Sequence, residues 1–210
     1  MRIIEPSFEI ISPTEINGND ILKEIEKIAR TCYKSEDKIT DLSAQDLIRQ
    51  LLKRGHEAML EFGPSITVKF ICNRGFTHEL VRHRIASYAQ ESTRYCNYSK
   101  EKHGNEITVI KPSVPMSLNN YNFWVESMKA CEQAYMHLIK HGVPPQIARG
   151  VLPIDVKTEI NIKANLREWR HIFKLRTSVA AHPSMHQLMR PLLKQLQTNI
   201  PIIFDDITYK

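Results

Sequence analysis

Glycine is scarce in this 210-residue chain: there are seven, and they are scattered. No Gly-x-Gly-x-x-Gly and no Gly-x-x-x-x-Gly-Lys-Ser/Thr occurs, so neither a Rossmann turn nor a P-loop can hold a phosphate on backbone amides. Any nucleotide would have to be gripped by side chains. Cysteine is sparse too. Cys32, Cys72, Cys96 and Cys131 form no Cys-x-x-Cys pair, which fits reduced thiols in a cytoplasm better than a zinc site or a disulfide framework. His137/His141 and His182/His186 have helical spacing but lack the metalloprotease glutamate and a third ligand, so no metal is expected. No apolar run is long enough to span a bilayer, and Met1 to Pro6 opens no signal-peptide core.

What the chain does have is an ordinary globular composition, 42% apolar and 25% charged, with a net charge of +6. That balance favours anionic partners without separating nucleic acid from small phosphorylated ligands. No repeat or long linker interrupts it, so residues 1–210 are expected to form one domain.

Apolar periodicity predicts strands over residues 7–12, 65–73, 106–110 and 155–163. It predicts helices over residues 20–33, from Ser43 to Gly55, from Phe76 to Arg84, from Ser117 to Gly142, and over residues 166–179 and 184–198. Ser43 with Asp46 reads as a capping box, and a short helix after Pro144-Pro145 carries Arg149. Strands mixed with longer helices, without regular alternation, indicate an α+β class.

Two segments carry chemistry. Arg82-His83-Arg84 is followed, after seven residues, by Ser92-Thr93-Arg94. Arginine holds phosphate bidentately, and the hydroxyls and Gln90 supply the neutral hydrogen bonds that a sugar and base need. If residues 76–85 are helical, Glu79, Arg82 and His83 share a face; an ordinary surface ion pair accounts for Glu79 and Arg82 equally well. In the second segment, Asn165, Trp169, Ile172 and Arg176 form one stripe of a helix, with Arg167, Arg170 and Lys174 on the opposite, solvent side. A guanidinium on an apolar stripe needs an anion or several acceptors, either an internal carboxylate or a ligand. Cys96, two residues after Arg94, reads as a small buried thiol in preference to a nucleophile activated by nearby positive charge, and Ser92 lacks a nucleophile elbow.

These residues resemble the flavin-dependent thymidylate synthases. Their signature, Arg-His-Arg, seven residues and Ser, is matched by Arg82-His83-Arg84 and Ser92. Gly55-His56-Glu57 with Glu61, His78 to Val81, Ala148 to Pro153, and Asn165-x-Arg167 with Arg176 follow in the same order over most of residues 20–190. The resemblance implies a single α+β domain with a mixed, mostly antiparallel twisted sheet packed with helices. It implies a cytoplasmic homotetramer with active sites shared between subunits, binding dUMP, FAD, NADPH and 5,10-methylene-tetrahydrofolate. By position, Arg82, His83, Arg84, Gln90, Asn165, Arg167 and His171 are expected at FAD. Glu79, Arg82, Gln90, Glu91, Ser92, Thr93, Arg94, Arg149 and Arg176 are expected at dUMP, with residues 90–94 coming from a neighbouring subunit and Arg176 activating the uracil. Ala58 stands where members often carry Thr or Ser, which removes a hydroxyl contact to FAD, and the His171 position can be Asn in other members.

On this reading the chain methylates dUMP to dTMP, with no nucleic acid or membrane among its partners. Arginine cannot be a general base near neutrality, so Arg176 is expected to stabilise a uracil anion. A nucleic-acid-binding protein that uses Arg82, Arg84, Arg94 and the 167/170/174 face remains the alternative from another class, and a non-catalytic flavoprotein is a third.

Overall fold

Asparagine and serine side chains set where several helices of this protein begin. In the computed structural model, which describes residues 1–209, Asn17, Asn73, Ser117 and Asn165 each accept a hydrogen bond from an amide in the first turn that follows. Caps of this kind contribute about 1 kcal/mol apiece. In chain order the elements are β1 (Arg2–Ile4), β2 (Ser7–Ser12), α1 (Gly18–Thr31), α2 (Ser43–Lys53), β3 (Ile66–Asn73), α3 (Arg74–Leu80) and β4 (Ser87–Gln90). There follow β5 (Thr108–Ile110), α4 (Leu118–Lys140), α5 (Pro145–Ala148), β6 (Lys157–Ala164), α6 (Leu166–Arg176) and α7 (Pro183–Asn199). Strands β2-β3-β6-β4 make a four-stranded sheet, and β1 pairs in parallel with β5. The result is the mixed, mostly antiparallel α+β arrangement expected from the sequence.

The described residues divide into two compact units. The first comprises Met1–Ser7, Phe70–Arg82 and Ala89–Asn161; the second comprises Phe8–Lys69, His83–Tyr88 and Ile162–Lys210, described here to residue 209. The first unit is organised around α4. Its Met128 and Tyr135 pack with Tyr98, Ile107, Val109, Ala148 and Val156, and the Tyr135 hydroxyl accepts from the Tyr98 amide at 3.3 Å. In the second unit, α6 buries Trp169, Ile172 and Phe173, and α7 buries Leu188, Leu192 and Leu196. The Trp169 and Phe173 rings stack at 5.4 Å, Phe204 meets Phe173 edge-on at 5.7 Å, and Trp169 Nε1 donates to the Ile66 carbonyl at 3.1 Å. Among the described residues, no helix is long and apolar enough to cross a membrane.

Four local expectations are corrected. The Ser43–Asp46 box does not form: Leu42 occupies the cap position of α2, and the Ser43 hydroxyl donates to Glu26 instead, at 3.0 Å. Helix α3 stops at Leu80 rather than Arg84, so Arg82, His83 and Arg84 follow the helix in a turn and share no helical face with Glu79. Residues 87–90, for which the sequence indicates no element, form β4 because β6 supplies backbone partners. Arg170, placed on the solvent side, is 1% exposed, because the segment around Ile203 and Asp206 covers that flank of α6.

Candidate active site

His83 lies in the turn after α3, within the second unit, and is 4% exposed. Burial, with the charge of Arg176 and then His171 adding to it, presses its pKa down to about 4, so the ring is neutral across the physiological range. Arg176, at the C-terminal end of α6, donates from Nε to His83 Nε2 at 3.0 Å. A neutral imidazole that accepts at Nε2 carries its hydrogen on Nδ1. That Nδ1 stands 3.7 Å from a carboxylate oxygen of Glu168, itself 6% exposed and pushed upward in pKa chiefly by burial. His171 meets the His83 ring edge-on at 5.5 Å, and the Tyr88 hydroxyl donates to the His83 carbonyl at 2.7 Å. The tyrosine has its own pKa raised to about 12, first by burial and then by Glu168.

His83, Glu168 and His171 offer three possible ligand atoms within 4.8 Å of one another. A proton on Nδ1 and a guanidinium at Nε2 both oppose a cation there, so the cluster reads as a chain of hydrogen bonds and charges that holds Arg176.

The remaining expectations in the second unit fall close to this cluster in sequence but have varied local partners. Asn165 spends its side-chain oxygen on capping α6, accepting from the Glu168 amide at 2.8 Å. Arg167 is exposed and paired with Glu61; Arg84 is exposed. A pocket of about 410 Å³ is lined by Tyr33, His56, Ala58, Met59 and Arg167 among others. Arg170 is enclosed by Asp206, Glu57 and the Ile203 carbonyl, and Lys174 pairs with Glu57 at 2.9 Å. The supposed basic face of α6 is therefore neutralised by acids, which removes the main support for a nucleic-acid surface.

In the first unit, the segment from Gln90 to Arg94 is fixed by its own side chains. Gln90 donates to Thr77 and Thr158 at 3.1 and 3.3 Å. Glu91 accepts from the Tyr98 hydroxyl at 3.0 Å and from Lys157 at 3.1 Å, and its carbonyl accepts from Arg74. The Ser92 hydroxyl accepts from the Arg94 amide, while Thr93 is buried and accepts from Arg149 at 3.4 Å. Arg94 is exposed and bonded to Gln146 at 3.1 Å. A pocket of about 290 Å³ has Arg74, His78, Thr93 and Arg149 in its wall, a cationic recess suited to an anion. Arg82 is exposed and Glu79 half-buried.

Three residues of these clusters were not singled out from the sequence as site residues: Arg74, His78 and Glu168. Glu168 was within reach, since at about 100° per residue it sits some 40° from Ile172 on the helix wheel, a carboxylate at the margin of an apolar stripe. Arg74 gave no such signal, being one more cation after a strand.

Residues 15–202 match the family described as thymidylate synthase complementing protein. The flavin-dependent thymidylate synthase of Geobacter sulfurreducens is 34% identical over 184 residues, covering 85% of this chain and 78% of that protein. The enzyme of the same name from Pyrococcus furiosus is 34% identical over 162 residues, covering 77% of this chain and 66% of its own length. Among solved structures, the chain is similar to a UMP/dUMP methylase, PolB, from Streptomyces cacaoi, determined with 5-Br dUMP bound. The TM-score is 0.80 at 17% identity, over 98% of this chain and 96% of that one, a likeness of fold. A family match that covers nearly the whole sequence, with relatives one-third identical over most of it, establishes that the chain belongs to the flavin-dependent thymidylate synthases.

Proposed function

We propose that this chain methylates dUMP at C5 to give dTMP, taking the carbon from 5,10-methylene-tetrahydrofolate and the reducing equivalents from NADPH through FAD. The observation that carries the reading is the half-buried Arg176 guanidinium, braced through Nε by a neutral His83. A base whose C5 is to attack an electrophile accumulates negative charge on the ring, and a fixed cation stabilises that charge without surrendering a proton.

The residues present fit a flavin. Within the second unit, exposed Arg84 suits its phosphates, and the pocket that includes Tyr33, His56 and Met59 offers aromatic and apolar walls for a planar ring. Arg82, His83, Arg84, Gln90, Asn165, Arg167 and His171 would hold it; Ala58 offers no hydroxyl. When bound, the flavin supplies the hydride that completes the methyl group, a power no side chain has.

The chain's own residues then bind and orient. Arg149 and Arg94 suit the dUMP phosphate, with Glu79, Arg82 and the segment Gln90, Glu91, Ser92 and Thr93 around the nucleotide. Ser92 serves as a hydrogen-bonding contact and not as a nucleophile. We take residues 1–210 as one thymidylate synthase domain, supported by a match that runs through segments of both units. We take the active assembly as a homotetramer in which residues 90–94 serve a neighbour's site. Cytoplasmic location goes with four free thiols.

Two measurements test this. Formation of dTMP from dUMP should require both methylene-tetrahydrofolate and reduced nicotinamide; its absence in a folded, flavin-loaded protein rejects the assignment. The double variant His83→Ala/Arg84→Ala should purify colourless while keeping its circular dichroism, and full flavin occupancy there would remove those two residues from the flavin site.

A further inference from the structure

The two nitrogens of His83 face opposite requirements. At Nε2, Arg176 presents an N–H at 3.0 Å. At Nδ1, Glu168 presents a carboxylate oxygen at 3.7 Å. A neutral imidazole has one N–H and one lone pair, so only one tautomer satisfies both neighbours. With the hydrogen on Nδ1, the ring accepts from Arg176 and turns a positive edge toward Glu168. With the hydrogen on Nε2, two donors confront each other at Arg176 and a lone pair confronts the carboxylate. Arg176 favours this tautomer from one edge of the ring and Glu168 favours it from the other. Glu168 is 6% exposed and lies in the first turn of α6, with its amide held by the cap.

We infer that Glu168 is a positioning residue for the proposed reaction, fixing His83 in the Nδ1–H tautomer so that Nε2 aims the Arg176 guanidinium. The inference rests on the role proposed for Arg176 at the uracil. The 3.7 Å separation is too long for a strong hydrogen bond, so Glu168 acts through field and not through a short contact, in surroundings where burial strengthens electrostatics. Glu168 thereby reaches the substrate only through two other side chains. His171 stands edge-on to the same ring, and Tyr88 donates to the His83 backbone carbonyl.

The test is nitrogen-15 NMR of histidine-labelled protein, flavin-loaded as purified, beside steady-state dTMP formation. Wild-type His83 should carry its proton on Nδ1. Glu168→Ala should populate the Nε2–H form and lower turnover about 10-fold to 100-fold, the scale for losing a group that orients a functional side chain, with the KM for dUMP changing less than kcat. Glu168→Gln keeps the shape and loses the charge, so, with the field as the cause, it should shift the tautomer and lower turnover nearly as far as Glu168→Ala does. A wild-type proton on Nε2, or a Glu168→Ala protein that keeps both tautomer and turnover, overturns the inference. Failure of the Arg176 assignment has a different signature: Arg176→Lys would then make dTMP normally while the alanine variant still shifts the histidine spectrum.

Discussion

Arg170 and Arg176 leave the same helix six residues apart and meet opposite chemistry. Arg170 faces two carboxylates and a carbonyl in a site that is almost closed, whereas Arg176 sets its Nε against a neutral ring nitrogen. The first is neutralised inside the protein. The second is half-buried beside that ring, and on the role proposed for it Arg176→Lys, which keeps the charge but loses the planar fork and the Nε donor, should lower dTMP formation about 100-fold or more. Its melting temperature should move little, and slow NADPH oxidation with bound flavin should persist; near-normal dTMP formation would make Arg176 a structural residue. His83 makes a separate prediction. Its pKa is held near 4, below the ordinary value of about 6.5, so between those limits the unfolded chain binds more protons than the native one, and stability falls as pH drops. Glu168, raised by burial, works against this above the ordinary carboxylate range. Glu57, despite its burial, is held low by Arg170 and Lys174, and Asp206 by Arg170; their contribution is lost as pH falls from the ordinary carboxylate range through their lowered values. Comparing melting temperature against pH for wild type and His83→Gln isolates the histidine. The variant should flatten the loss between about pH 6.5 and 4, and an unchanged slope would show that His83 is not kept neutral by the fold.

At the scale of elements, α6 organises the second unit. It caps itself through Asn165, stacks Trp169 on Phe173, and collects Glu57 and the segment around Asp206 onto Arg170. Replacing Arg170 by methionine fills similar volume but leaves Glu57 and Asp206 without their cation. The cost should be about 3 kcal/mol, the lower end for breaking a buried pair because Asp206 stays partly wetted, read as a fall in urea midpoint with an unchanged slope. A loss under about 0.5 kcal/mol would mean the network contributes nothing net. Long elements were legible in the sequence because their apolar period repeats: α1, α4, α6 and α7 fall within a few residues of expectation, and Ser117 caps α4 as read. What escaped has a common cause in distant partners. The wheel put Arg170 in solvent since nothing local announces that residues 203–206 cover it. Strand β4 is four residues long and owes its existence to β6. Ser43 had a better acceptor in Glu26, seventeen residues earlier. In the candidate site, the basic turn and Arg176 stood out by composition and by stripe, but the contact joining Arg176 to His83 spans 93 residues and no periodicity encodes it.

For the whole molecule, the proposed assembly decides how a complete site is built. The segment from Gln90 to Arg94 is anchored by Thr77, Thr158, Tyr98 and Lys157, which leaves the exposed Arg94 and Tyr95 on a rigid platform. Leu118 and Phe123 on α4, with Ile147 beyond it, are also more than half exposed, apolar surface of the kind that copies of a chain bury against each other. If residues 90–94 of one copy serve the site that holds Arg176 of another, two crippled chains can complement. Arg94→Ala and Arg176→Ala should each be inactive alone. After subunit exchange at equal amounts, about a quarter of the sites would draw an intact Arg94 from one chain and an intact Arg176 from the other. Activity should then recover toward about a quarter of wild type, following the mixing ratio as the product of the two fractions. Exchange itself is checked by native mass spectrometry of tagged and untagged chains. Hybrid oligomers that form and stay inactive would show that each site is complete within one copy, because no redistribution of chains could then bring the two arginines together.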